Sequence, residues 1–359
     1  MKDSPYRVQK DANAATARAE YAAGSVRLRA RPRVVFVELT RYCNLSCPMC
    51  RSAGSVSQSE TMSSELFELV AEELFPCAEL VDLRGWGESL ILPEFSERME
   101  RALAYGCDIR LVTNLSFRRP AVLNALIEAG AYVGVSVDAA DDELLKDIRG
   151  GANLALILDN LTVLANGYKQ RGFTDRLRLY VTCQRKNLNV LDEIVSLAEA
   201  AGIGDIFLAP VTVEPVSPLS IIGQERSFPV VLERLRVKAR HAGVRVFQTS
   251  NLWEGQFELD AAGPACIHPW MYCHVTYDGR VGFCDHLIGP HGDPFILGHL
   301  QSDPFEKIWN GDAWVDLRRE HCGTRRSEAP LFSECAWCYR NRFIDFEDLL
   351  EPKLVKVSV

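Results

Sequence analysis

From residue 34 to about 214 the chain alternates short β-branched runs with longer stretches whose apolar residues recur at helical spacing. VVFVELT (34–40), ELVDLR (79–84), DIRLVTN (108–114), YVGVSVD (132–138), RLRLYVTC (176–183) and DIFLAPV (205–211) read as strands. Between them SSELFELVAEEL (63–74) carries Leu66, Phe67, Val70 and Leu74 on one face, and NVLDEIVSLAEAAG (189–202) is closed by Gly202. Six strands joined by helical crossovers predict an α/β fold with a parallel sheet curled into a partial (β/α)6 barrel. In such a fold the loops after the strands carry the chemistry. Past residue 215 the alternation breaks: SPLSIIGQ (217–224) reads as loop, then come a helix and the strand VRVFQ (244–248). A segment rich in cysteine, glycine and aromatic residues begins at Cys266. The predicted organisation is an N-terminal extension (1–33), a barrel (34–250), a small cysteine-rich domain (251–345) and a tail (346–359).

Composition narrows the partners. The 359 residues carry a net charge of −8, and no run of lysine and arginine is long enough to track a phosphate backbone, which argues against nucleic acid. The one modest basic stretch, RLRARPR (27–33), reads as a solvated lead-in. No apolar run reaches the roughly 18 residues a membrane span needs, and residues 1–33 hold no signal-like stretch, so a cytoplasmic protein is expected. In a reducing compartment the twelve cysteines do not read as a disulfide framework. Clustered ones point to metal binding or catalysis.

Cys43, Cys47 and Cys50 follow the first strand immediately. Four thiolates close a zinc or iron–sulfur site, whereas three on one loop leave a metal position for something else; a zinc knuckle borrowing a distant ligand is the alternative. GWGE (85–88) follows the second strand, TN (113–114) ends the third and SVD (136–138) ends the fourth. Alone, each is an ordinary turn or cap. Together, in this order and with ELTRY before the first cysteine, they resemble the radical S-adenosylmethionine (SAM) superfamily. The resemblance implies a [4Fe–4S] cluster on Cys43, Cys47 and Cys50 whose fourth iron is chelated by SAM, and a 5′-deoxyadenosyl radical released by a single electron. It also implies that Gly85, Gly87 and Glu88 line the SAM amino group, that Thr113, Asn114, Ser136 and Asp138 contact its ribose and methionine portions, and that a flavodoxin- or ferredoxin-type protein is the reductant.

A second cysteine set lies further on. Cys266 and Cys284 bracket a hairpin turned at Asp278-Gly279, and Cys335-x2-Cys338 is a second knuckle. Spacing alone serves structural zinc equally well. The segment resembles the auxiliary-cluster extension of radical SAM enzymes in its shorter "twitch" form, since the cysteines the longer SPASM form adds after Cys338 are missing. That implies one auxiliary [4Fe–4S] cluster on Cys266, Cys284, Cys335 and Cys338, with Cys273 and Cys322 close enough in sequence to replace a ligand. Cys77 and Cys107 read as buried packing residues just before strands.

Cys183 ends the fifth strand, on the rim where the other motifs lie. A thiol there can return a hydrogen atom to a substrate radical, yet Cys183 also alternates in phase with Leu177, Leu179 and Val181, as a core residue does. The pattern resembles tailoring enzymes of aminocyclitol and aminoglycoside antibiotics. It implies an epimerase that inverts a carbinol centre of an aminoglycoside-type sugar with Cys183 as donor. The alternatives are a dehydrogenase that oxidises the same carbon with the auxiliary cluster as electron acceptor, a peptide maturase, and a non-catalytic zinc module. For a maturase, residues 1–33 read as too short and polar to form a leader-binding module. Asp285 and His286 can meet an amino sugar or simply sit exposed in the hairpin.

Overall fold

The computed structural model describes residues 4–50, 57–211, 217–221, 228–248, 266–284, 287–288 and 293–322. Its strands are β1 (Val34–Val37), β2 (Leu80–Asp82), β3 (Asp108–Thr113), β4 (Tyr132–Ser136), β5 (Leu177–Cys183), β6 (Asp205–Pro210), β7 (Arg245–Gln248), β8 (Tyr272–Val275), β9 (Arg280–Gly282) and β10 (Gly298–His299). Its helices are α1 (Arg7–Ala22), α2 (Ser64–Leu74), α3 (Phe95–Ala104), α4 (Pro120–Ala129), α5 (Asp142–Ile148), α6 (Leu154–Arg171), α7 (Leu191–Ala201), α8 (Phe228–Ala242), α9 (His268–Met271), α10 (Phe305–Trp309) and α11 (Asp312–Cys322). Local chemistry sets their ends. The Ser63 side chain accepts from Leu66 N–H to start α2, whose Leu66, Phe67, Val70, Ala71 and Leu74 are buried. Asn153 caps α6 in the same way, and Gly202 ends α7 in the left-handed region at φ 71°. Among the described residues no helix is long and apolar enough to cross a membrane.

The chain divides into two compact units. The first comprises Met1–Tyr42, Val56–Arg110 and Phe257–Tyr339. In it β1 pairs in parallel with both β2 and β8, β2 pairs with the start of β3, and β8, β9 and β10 form an antiparallel meander. Register gives the sheet two different faces. Cys273, Val35, Val81 and Ile109 form one cross-strand row, apolar apart from the thiol, and His274, Phe36, Asp82 and Arg110 form the next, which places the charged side chains on the opposite face.

The first strand of the cysteine-rich segment extends the sheet. The four residues of β1 are all buried and present a second edge, which β8, equally buried, fills. The basic stretch 27–33 is also corrected. Leu28, Ala30 and Arg33 are buried, the Arg33 guanidinium is paired with Glu79, and Asn310 bonds both the N–H and the C=O of Leu28. Its alternating charges are the outer side of a strap. Trp270 Nε1 donates to Ser25 O (2.7 Å) and Trp309 Nε1 to Ala30 O (2.8 Å).

The second unit comprises Cys43–Ser55, Leu111–Gln256 and Arg340–Val359. Here β4, β5, β6 and β7 are parallel neighbours, with β7 added beyond the six strands expected up to residue 211. Leu177, Leu179, Val181 and Cys183 are buried, while Arg178, Tyr180 and Thr182 on the opposite face of β5 are half-buried. The half-buried face carries the row Ser136, Tyr180, Phe207 and Phe247, whose three aromatic rings stack at 5.2 and 4.7 Å.

Candidate active site

In the second unit the cysteine loop is pinned from below. Cys50 N–H donates to Cys47 O (3.0 Å), and Ser46 N–H donates to Gly150 O (3.1 Å). Gly150 has φ 33°, and a Cβ there would meet the Ser46 backbone and lie 2.9 Å from Cys47 N, so only glycine admits this approach. The preceding residue, Arg149, donates to Asp138 Oδ2 (2.6 Å) and reaches Thr182 Oγ1 (3.5 Å). Asp138 is fully buried; its Oδ1 accepts Thr182 N–H (2.7 Å), and Asn187 Nδ2 donates to its carbonyl (2.9 Å). Burial pushes the Cys47 thiol up, the Arg149 guanidinium pulls it down, and Cys50 adds a further upward push. Negative charge on Cys47 and Cys50 together would be mutually repulsive and would face the Arg149 guanidinium.

The loop after β3 closes over the first cysteine. Leu45 N–H points to Cys43 Sγ (3.4 Å). Asn114 Nδ2 donates to Asn44 Oδ1 (3.0 Å) and stands 3.8 Å from Cys43 Sγ, while its Oδ1 accepts Ser116 N–H (2.8 Å). Thr113 Oγ1 accepts Leu115 N–H (3.1 Å). Leu115 is held at φ 49°, outside the usual range for a side chain of its size. Asn160 holds it there by donating to Leu115 O (2.9 Å) and Phe117 O (2.7 Å). Ser136 is buried at the end of β4 in the aromatic row.

In the first unit GWGE forms a loop that two glycines permit. Gly87 N–H donates to Thr40 O (3.1 Å) and Glu88 N–H to Tyr42 O (2.9 Å). A Cβ on Gly87 would collide with Tyr42 O and lie 2.7 Å from both Arg41 C and Thr40 O; one on Gly85 would lie 2.5 Å from Glu38 Cγ. Glu88 is buried and accepts from Leu90 N–H (3.2 Å), opening the short turn Ser89–Ile91. Arg41 lies over the Trp86 ring, 5.1 Å from its centroid.

The hairpin of β8 and β9 turns at Asp278-Gly279, with Gly279 at φ 90°. Cys266 and Cys284 flank it, and His268 N–H points to Cys266 Sγ (3.4 Å). Cys335 and Cys338 lie outside the described residues, as do Asp285 and His286. Cys273 is fully buried in β8 beside Val35, and Cys322 ends α11 with its thiol directed to Gly24 O (3.6 Å). Cys107 is buried, bonded to the equally buried Lys10 Nζ (3.1 Å), and pushed up to about 11 by burial. Cys77 is not the buried residue expected, because it is half-exposed and takes a bond from Gln9 (3.3 Å). Cys183 is 2% exposed, on the buried face of β5, and burial pushes its thiol up.

Two functional candidates escaped the sequence reading. Arg149 had a signal in the Gly150-Gly151 pair after it, and Glu38 had one as a lone carboxylate closing an apolar strand.

Among the described residues no three His, Cys, Asp or Glu side chains are gathered about one point. The cysteine loop nevertheless suits an iron–sulfur cluster. Its three thiols are half-buried, an N–H faces one sulfur and a guanidinium faces two, and an added cationic cluster would relieve the repulsion between them.

Residues 37–177 match the radical SAM superfamily, and residues 266–339 match the SPASM iron–sulfur cluster-binding domain. The chain is a radical SAM enzyme with a C-terminal SPASM domain, built as α/β with the parallel sheet typical of the radical SAM partial barrel. Its cofactors are S-adenosylmethionine and a [4Fe–4S] cluster, with auxiliary iron–sulfur binding in the SPASM domain. It is 25% identical over 356 residues to an AdoMet-dependent heme synthase of Methanosarcina barkeri, covering 90% of this chain and 95% of the relative. It is 30% identical over 167 residues to the mycofactocin maturase MftC of Mycolicibacterium smegmatis, covering 46% of this chain and 41% of the maturase. Among solved structures it resembles SuiB of Streptococcus suis bound to S-adenosylmethionine (TM-score 0.62, 13% identity, 88% of this chain and 73% of that one). It also resembles anSMEcpe with bound AdoMet (TM-score 0.63, 16% identity, 86% and 87%). At these identities the structural likeness is one of fold.

Proposed function

We propose that the enzyme oxidises a carbinol carbon of an aminoglycoside-type sugar, with Cys43, Cys47 and Cys50 holding the SAM cluster and Cys266, Cys284, Cys335 and Cys338 the auxiliary one. Gly85, Gly87, Glu88, Thr113, Asn114 and Ser136 serve SAM, while Asp138 acts through Arg149. When bound, S-adenosylmethionine on its cluster supplies hydrogen-atom abstraction and the auxiliary cluster supplies an electron acceptor. The residues here orient the groups and exclude water. Motif resemblance supports the substrate class; the named relatives, a heme synthase and a mycofactocin maturase, do not carry it.

The observation that favours oxidation over inversion is the placement of Cys183. It is 2% exposed and shares its face with Leu177, Leu179 and Val181, whereas Thr182, on the other face, reaches Arg149 beside the cysteine loop. A donor thiol must reach the substrate carbon. The second reading is inversion, as in the radical SAM epimerase of hygromycin B biosynthesis; it is favoured by the strand-end position of Cys183, whose thiol senses the Asp138 carboxylate.

Product mass in deuterated water separates the two. Oxidation gives a product two hydrogens lighter, without solvent deuterium, and Cys183→Ala leaves that product unchanged. A product of the substrate's composition, one mass unit heavier through a single carbon-bound deuteron and lost in Cys183→Ala, establishes inversion instead.

A further inference from the structure

Glu38 follows β1, inside the first unit, and is 2% exposed. Its Oε1 accepts the Trp86 N–H of the glycine loop (3.2 Å), and its Oε2 accepts the Tyr277 N–H of the hairpin turn (3.4 Å). Gly85 lacks a side chain where Glu38 Cγ passes, since a Cβ there would lie 2.5 Å from it. Only a carboxylate offers an acceptor on both oxygens; a carboxamide would accept one N–H and turn its own NH2 on the other.

We propose that Glu38 is a positioning residue that ties the glycine–glutamate loop to the turn of the SPASM hairpin, so that SAM binding on that loop requires its ionised form. The proposal rests on the radical SAM domain and is independent of the substrate and of the fate of Cys183. Burial pushes Glu38 up to about 7, against the pull of the Trp86 and Tyr277 N–H groups and of Arg41 and Arg280. The charged groups acting on it are Arg41 beyond β1, paired with Glu60 (3.5 Å), and Arg280 on β9, whose Nε donates to Asp278 Oδ1 (2.8 Å); the Tyr277 phenol lies among the same four groups. Glu88 of the glycine loop bonds its own turn.

The sign follows directly. A protonated Glu38 turns an O–H toward one of its two N–H partners and releases it, so SAM affinity is full above about pH 7 and falls as pH drops below it. Folding stability runs the other way. A carboxyl held above its ordinary value of 4.5 favours the neutral form in the fold, so stability from this group is full below 4.5 and is lost as pH rises through about 7.

The test uses the full chain reconstituted anaerobically with iron and sulfide. The dissociation constant of SAM is measured from about pH 6 to about pH 8 for wild type, Glu38→Gln and Arg280→Gln, with unfolding temperatures of the cluster-free proteins over about pH 4 to pH 8. Wild type should lose affinity by up to about tenfold per pH unit below the limb. In Glu38→Gln affinity should be about tenfold weaker, and the limb, taken as the difference from wild type so that the titration of SAM cancels, should be gone. The pH slope of unfolding temperature between 4.5 and about 7 should flatten with it. Removing the Arg280 cation should move the limb to higher pH. A Glu38→Gln profile identical to wild type overturns the proposal. Should that variant fail to take up iron, an unmoved limb in Arg280→Gln overturns it equally.

Discussion

Gly87 shows how closely the glycine loop approaches the end of the first strand. Its missing side chain leaves room for Tyr42 O and for Thr40 O and Arg41 C, each 2.7 Å from where a Cβ would sit. Gly87→Ala must therefore push the loop outward, and is expected to weaken SAM binding at least about tenfold and to destabilise the fold by roughly 2 kcal/mol. Gly204, before β6, is the contrast: a Cβ there meets nothing within 4 Å, and Gly204→Ala should stay within about 0.5 kcal/mol of wild type. Equilibrium titration with SAM and denaturant unfolding read both; equal losses at the two sites would contradict the steric account. The Gly-x-Gly-Glu spacing was legible in the sequence because a motif is local. Its dependence on Glu38 was not, because that carboxylate lies 47 positions before Gly85 and meets it only once β1 and β2 pair.

At the scale of elements, the apolar runs foretold β1 to β7 together with α2 and α7, since each pattern reports its own buried face, whereas α1 lies in the stretch read as a polar extension. Partners are another matter. Nothing in YCHV says that β8 will lie parallel to β1, and nothing in RLRARPR says that a strap will lie against α10. The strap is secured by Arg318, fully buried between Trp309 and Trp314, with its guanidinium carbon 4.3 and 5.2 Å from their ring centroids. It donates to the carbonyls of Pro269 (2.8 Å), Trp309 (2.9 Å) and Val26 (3.2 Å), while burial pulls it down to about 9. Arg318→Ala is expected to cost roughly 3 kcal/mol by leaving those carbonyls without their donor. Arg318→Lys should recover little of it, because a point ammonium cannot span the three acceptors. Denaturant unfolding measures both, and a loss under about 0.5 kcal/mol in Arg318→Ala would show that the strap is held elsewhere.

For the molecule as a whole, twelve cysteines in one chain find different uses according to their surroundings. Cys107, Cys183 and Cys273 are buried, Cys107 against the Lys10 ammonium, while Cys43, Cys47 and Cys50 stay half-buried on a loop that a glycine turn and the Arg149–Asp138 pair support. The triplet's spacing was legible at once. The burial of Cys183 is legible in the sequence only as its phase with Leu177, Leu179 and Val181. The central claim is that the three cysteines of residues 43–50 carry a cluster that cleaves S-adenosylmethionine. It is tested most directly by supplying anaerobically reconstituted protein with dithionite and the nucleotide, and measuring 5′-deoxyadenosine. The account predicts its formation by wild type and none above background by Cys43→Ala, with the iron held by the auxiliary cysteines retained; wild-type protein that binds its iron and yields no 5′-deoxyadenosine would contradict it.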